Sequence, residues 1–165
     1  MSAHPHPLVC LDPIVTLDCD AFELGLLPLA RHFLPSLQNP DRSGWQHALA
    51  IAVENWSESP GLSIAHNFQI FLSVMTRGLG RRFEYQDPLC PDARLFVTPD
   101  ERTLLQMIHH MRRDQTGAAR RDVDELTGGR MDPDLIRAAL TFAARFPSGE
   151  KRPSNKAVLR VVAAN

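Results

Sequence analysis

Residues 98–113, TPDERTLLQMIHHMRR, constrain this chain more than any other stretch, because a start, a face and a stop are all written in them. Thr98 has a hydroxyl that can accept from a backbone N–H left without a partner in a first helical turn. Pro99 suits the first helical position, where no N–H is needed and φ is already near the helical value. Glu101 stands three residues after Thr98, so its carboxylate can return to the Thr98 N–H and complete a capping box. Asp100 and Glu101 face the positive end of the helix dipole, and Arg112 and Arg113 face the negative end. Between them Leu104, Leu105, Met107, Ile108 and Met111 cover one broad arc. A helix with such a face needs partners from the rest of the chain.

The same periodicity supplies them. Ser43 is read as the cap of a helix to about Trp56, with Trp45, Ala48, Leu49, Ala52, Val53 and Trp56 on one face. Glu-Ser-Pro-Gly at 58–61 reads as a turn. Ser63 then caps a helix to Leu79, striped by Ile64, Phe68, Phe71, Leu72, Met75 and Leu79 and closed by Gly80. Asp132 and Pro133 open a helix faced by Leu135, Ile136, Ala139, Phe142, Ala143 and Phe146. Asp18 or Asp20 caps an earlier segment reaching about Gln38, with Leu24, Leu27, Phe33, Leu34 and Leu37 as core residues. Pro28 and Pro35 lie inside it, which predicts two short helices or one bent one. A polar helix is expected over 118–126, its apolar contacts Val123 and Leu126, stopped by Gly128 and Gly129.

These stripes predict an all-α fold, a single-domain bundle of five to seven helices, with neighbours joined by short turns packed antiparallel. Asn39-Pro40-Asp41 reads as a turn. Residues 81–97 form a long irregular loop, of the kind that is either functional or covers the core. Residues 1–13 and 150–165 are expected to be flexible or docked arms. The short apolar runs at 9–11 and 14–17 are expected as brief extended segments or as residues tucked against the core.

Bulk properties limit function. The 165 residues suit one domain with a real core. A net charge of −1 gives no global field toward nucleic acid or anionic membrane. No apolar run is long enough to cross a bilayer. Residues 1–40 carry four acids against Arg31, and residues 147–165 carry four bases against Glu150. Both are read as solvated tails. Cys10, Cys19 and Cys90 make an odd count without an export signal, so a reducing cytoplasm is expected. Basic residues are arginine except Lys151 and Lys156, which fits a GC-rich bacterial genome.

Little in the chain announces chemistry. Nucleotide-loop, nucleophile-elbow and His-Glu-x-x-His patterns are missing. His109 and His110 are adjacent, so on a helix they point about 100° apart rather than at one ion. They are read as boundary residues without a ligand role. The cysteines have no C-x-x-C spacing, which argues against zinc. Cys90 lies in the long loop with Arg81, Arg82 and Arg94 nearby in sequence, a setting that favours thiolate. Residues 118–146 resemble a helix-turn-helix in outline, yet Asp132 and Asp134 at the second helix's start would repel phosphate. Three arginine pairs, Arg81-Arg82, Arg112-Arg113 and Arg120-Arg121, invite an anion, with acids close enough in sequence to neutralise them.

The expected role is therefore non-catalytic: a small bacterial interaction or regulatory protein, partnered by another protein or by itself, with no cofactor, no metal and no membrane. The residues expected to hold a ligand or anion are Arg81, Arg82, Tyr85, Cys90, His109 and Arg112. One alternative is a nucleic-acid-binding regulator using the arginine pairs or residues 118–146. The other is a thiol- or metal-dependent enzyme around Cys90.

Overall fold

The computed structural model describes residues 11–39 and 43–149. Among these, six α-helices follow one another: α1 (Ala21–Gln38), α2 (Gly44–Trp56), α3 (Glu58–Leu79), α4 (Pro99–Arg112), α5 (Thr116–Thr127) and α6 (Pro133–Arg145). The all-α bundle read from the apolar stripes is the observed fold. Two short strands, β1 (Asp12–Pro13) and β2 (Phe96–Val97), pair antiparallel, Asp12 opposite Val97 and Pro13 opposite Phe96. The last residues of the first arm, Asp12 and Pro13, are those that pair with β2. The rest of that arm, with Cys10, the stretch 150–165 and most of the Asn39-Pro40-Asp41 turn lie outside the described residues.

Local chemistry explains most helix ends. Asp20 and Thr98 each accept from the N–H three residues on, and Glu23 and Glu101 each return to the cap's own N–H, so α1 and α4 both open with complete capping boxes. Asp132 caps α6 with Pro133 in its first turn. Gly80 and Gly128 close α3 and α5 at φ +63° and +62°, a left-handed conformation that costs glycine little. Ser43 stands before α2 as expected, but its side chain makes no capping bond.

One expectation is narrowed and one corrected. Of two short helices or one bent one, the segment forms a single helix, α1, 18 residues long with Pro28 and Pro35 inside it. Each interior proline costs about 3 kcal/mol. Leu26, Leu27, Leu29, Phe33 and Leu34 are buried around them, and at about 1.5–3 kcal/mol apiece they offset that cost. The turn expected at 58–61 is the first turn of α3 instead; only Ser57, at φ +69°, separates α2 from α3. Pro60 is tolerated because the N–H groups of a first turn have no helical partner. Gly61 permits the sharp return: a Cβ there would lie 2.3 Å from the Ala52 carbonyl oxygen of α2.

Contacts fix the packing. Gly25 lies against Trp56 and Gly44 against His32, so α1 and α2 are antiparallel. Further packing joins α2 to α3, α3 to α6 and α4 to both α5 and α6. The main core centres on Phe68, Phe71 and Phe142, with ring centroids 5.4–6.1 Å apart. Phe146 and Phe22 extend the aromatic cluster to Trp56. A second small core, Leu27, Val97 and Leu105, sits between α1, β2 and α4 and carries Ile14, Leu17 and Cys19 on its flank.

Where α1 meets α2, the rings of His32 and His47 lie 5.4 Å apart. Burial, then the neighbouring His47 and Arg94, hold the His32 imidazole below its ordinary 6.5, against an opposing pull from Asp87. The folded state thus favours neutral His32. This contribution to stability is complete above the unfolded value and is lost as pH falls through 6.5 toward the folded one. NMR titration of His32 is expected to show a midpoint below 6.5, rising toward it in His47→Asn. An unmoved midpoint would leave the effect to burial and Arg94.

Candidate functional site

The polar chemistry of the fold gathers between α1 and α4. Glu23 contacts Arg112, Arg113 and His109, whereas Arg31 contacts Glu101, so the two helices run antiparallel. Each helix opens with a capping-box glutamate, and antiparallel packing brings each glutamate to an arginine of the other helix. Glu101, fully buried, accepts from Arg31 Nε at 2.7 Å and Nη2 at 2.9 Å. Arg31 spends its remaining donors on the carbonyls of Ala93 and Phe96. The Gln86 N–H also reaches Glu101, so the pair orders the segment before α4.

The opposite end is denser. Glu23 is also fully buried. Its Oε1 accepts from Arg112 at 2.5 Å and Arg113 at 2.6 Å, and its Oε2 from the Asp20 N–H and from His109 Nδ1, both at 2.9 Å. Asp20 accepts from Arg112 at 2.7 Å and Arg113 at 3.1 Å. Arg112 also lies 4.4 Å above the Phe22 ring and donates to the Phe146 carbonyl. Burial pushes the Glu23 carboxyl up, but Arg113, the Asp20 N–H and His109 outweigh it and hold it below the usual carboxylate range. Asp20 is likewise held low, burial being overcome by the Glu23 N–H and Arg112. Because Glu23 is ionised and only accepts, His109 carries its proton on Nδ1.

Cys19 completes this cluster. One ligating atom each of Cys19, Glu23 and His109 lie within 4.8 Å of one another. Burial, and then the charges of Glu23 and Asp20, push the thiol up to about 12, with Arg113 opposing. At neutral pH the thiol is protonated and is no resting nucleophile.

The six residues expected to form a ligand site divide between the two ends of α4. Arg81 binds both oxygens of Asp100, at 2.6 and 2.7 Å, and the Leu126 carbonyl. Arg82 is exposed beside it, and Tyr85 is half-buried against the main core. Cys90 is half-buried in a turn, its N–H donating to the Asp87 carbonyl. His109 and Arg112 belong to the Glu23 cluster, roughly 14 and 18 Å along α4 from Asp100. Of the three arginine pairs, Arg81 and both members of Arg112-Arg113 are held by carboxylates, while Arg120 and Arg121 are exposed. His110 pairs with Asp122 of α5 at 2.5 Å.

Sequence reasoning weighed Cys19 with the other cysteines for zinc and set it aside on spacing, and it did not single out Glu23 as a chemical residue. The signal for Glu23 was present, since Asp20-x-x-Glu23 repeats the capping-box spacing of Thr98-x-x-Glu101. Of its two partners, Glu23 is four residues away but His109 arrives 90 residues later, so no local spacing marks Cys19.

A second feature is apolar. A groove of about 190 Å³ runs between the end of α4, α5 and α6, lined by Met111, Ala119, Val123, Met131, Ile136 and Leu140. Met131 is 38% and Leu140 49% exposed. Asp114, Gln115, Thr116 and Arg120 form its polar rim. Among the described residues no helix is long and apolar enough to cross a membrane. Comparisons with protein-family models, curated proteins and solved structures return no match for this chain.

Proposed function

We propose that this chain is a non-catalytic interaction protein of the bacterial cytoplasm that pairs with a second copy of itself through the α4–α5–α6 groove. The carrying observation is the groove itself, with Met131, Ile136 and Leu140 left partly in water along its α6 side. Burying such side chains in a partner gains about 25 cal/mol per Å². The rim carries both signs, Asp114 and Arg120. A two-fold contact places the same patch on both subunits, so a surface bearing both signs can complement itself. The buried ion pairs between α1 and α4 then serve to hold the bundle rigid rather than to act on a substrate. The cytoplasmic reading rests on the odd cysteine count and on Cys19 and Cys90 both being free thiols.

Sedimentation equilibrium on the full chain tests the proposal. A dimer is expected, converting to monomer in Leu140→Glu and Met131→Glu with the helical circular dichroism of the fold retained, since both side chains are already partly exposed. A monomeric wild type at every concentration reached would overturn the reading. So would a dimer indifferent to both substitutions.

A further inference from the structure

We propose that Cys19, Glu23 and His109 form a binding site for a zinc-like divalent transition-metal ion. The three offer a sulfur, an oxygen and a nitrogen, the donor set that borderline metals such as zinc accept. They come from two rigidly joined places, the turn into α1 and the last turns of α4. Their ligating atoms already lie within 4.8 Å of one another. Bonds of about 2.0 Å to nitrogen and oxygen and about 2.3 Å to sulfur set tetrahedral edges of roughly 3.3–3.6 Å. The observed 2.9 Å between His109 Nδ1 and Glu23 Oε2 opens by about half an ångström to admit the ion, and edges to the sulfur as wide as 4.8 Å close by up to about 1.3 Å.

The division of labour on Glu23 favours this position. Oε1 is taken by the two guanidinium groups, while Oε2 faces the imidazole. A metal between Nδ1 and Oε2 replaces the shared proton and leaves both arginine contacts on Oε1 in place. The His109 proton moves to Nε2, and the Cys19 thiol gives its proton to solvent as the Cys19–metal bond forms. One proton is released per ion. Arg112 and Arg113 are the electrostatic opposition. The carboxylates of Asp20 and Glu23 balance those two cations, and the dication adds one net positive charge beyond the new thiolate. Asp18, adjacent in sequence and already acting on the Cys19 thiol, supplies the compensating negative charge. Cys19 is only half-buried, which leaves a fourth position for water.

The test is calorimetric titration of the tag-free full chain with Zn²⁺, and with Co²⁺ followed by its absorption. One ion per chain is expected, with one proton released and a thiolate-to-cobalt charge-transfer band. Cys19→Ser and His109→Asn are each expected to weaken binding by more than about tenfold, the loss that even a partner of a ligand produces. The band should vanish in Cys19→Ser and persist in Cys10→Ser and Cys90→Ser. Circular dichroism of each variant separates lost ligation from lost fold, and Cys19→Ser changes only one atom. Absence of Zn²⁺ binding to the folded wild type overturns the proposal. Binding that survives Cys19→Ser, or a band that follows Cys10 or Cys90, overturns it equally. None of these outcomes depends on whether the chain dimerises.

Discussion

Glu23→Ala is expected to destabilise the fold by about 3–5 kcal/mol, because it strands buried positive charge rather than merely deleting a contact. The Arg112 and Arg113 side chains are 4% and 10% exposed, and both point at Glu23 Oε1. After truncation Asp20, which also contacts both guanidinium groups, is itself partly in water. The Asp20 N–H and His109 Nδ1 lose their acceptor at the same time. Chemical denaturation reads the loss as a lower unfolding midpoint at unchanged m-value. Glu23→Gln keeps the shape and one acceptor oxygen, so it should retain part of the lost stability. A loss below about 1 kcal/mol for Glu23→Ala would mean that both arginines reach water with little rearrangement.

Glu101→Ala should cost less, near the lower end of the same range at about 3 kcal/mol. Arg31 keeps two acceptors, the carbonyls of Ala93 and Phe96, so its charge is not wholly abandoned. Three other losses still accompany the change: the capping box of α4, the anchor of the Gln86 N–H and the closed Arg31 fork. Removing both charges distinguishes these terms. In Arg31→Met with Glu101→Leu no buried charge is left, and such exchanges are often neutral or better. Here the double variant should remain short of wild type by about 1 kcal/mol, the typical worth of a lost helix cap. If it is no more stable than Glu101→Ala alone, the stranded Arg31 charge was not the source of the loss.

These two pairs show where the sequence was readable. The capping box at Thr98-x-x-Glu101 could be read in full, as could Asp132-Pro133 and the glycine stops at Gly80 and Gly128. Each is a contact within four residues, so the identities of a few neighbours decide it. The apolar stripes were equally plain, and they supplied Phe68, Phe71, Leu104 and Phe142 to the core. The choice left open at Pro28 and the misreading at 58–61 share a cause. Proline and glycine were read by local cost, whereas burial of the flanking leucines and the approach of Gly61 to Ala52 are long-range gains.

The candidate site was nearly invisible for the same reason. His109 was judged by its neighbours four residues away on its own helix, and there it has no useful partner. Its carboxylate and its thiol come instead from the opening of α1. Arg112 and Arg113 were assigned to the helix dipole, a weak exposed interaction. The stronger partners, Glu23 and Asp20, lie about ninety residues earlier.

By itself the sequence determined a bundle of five to seven helices, most of their ends and much of their inward faces, because hydrophobic period and caps act within a turn or two. Tertiary structure alone decided that α1 and α4 lie antiparallel. That single arrangement sets each capping glutamate on the other helix's arginine and brings Cys19 to His109. Local pattern is silent on it, because the energy that selects a helix's neighbour comes from burial and charge shared between segments far apart in the chain.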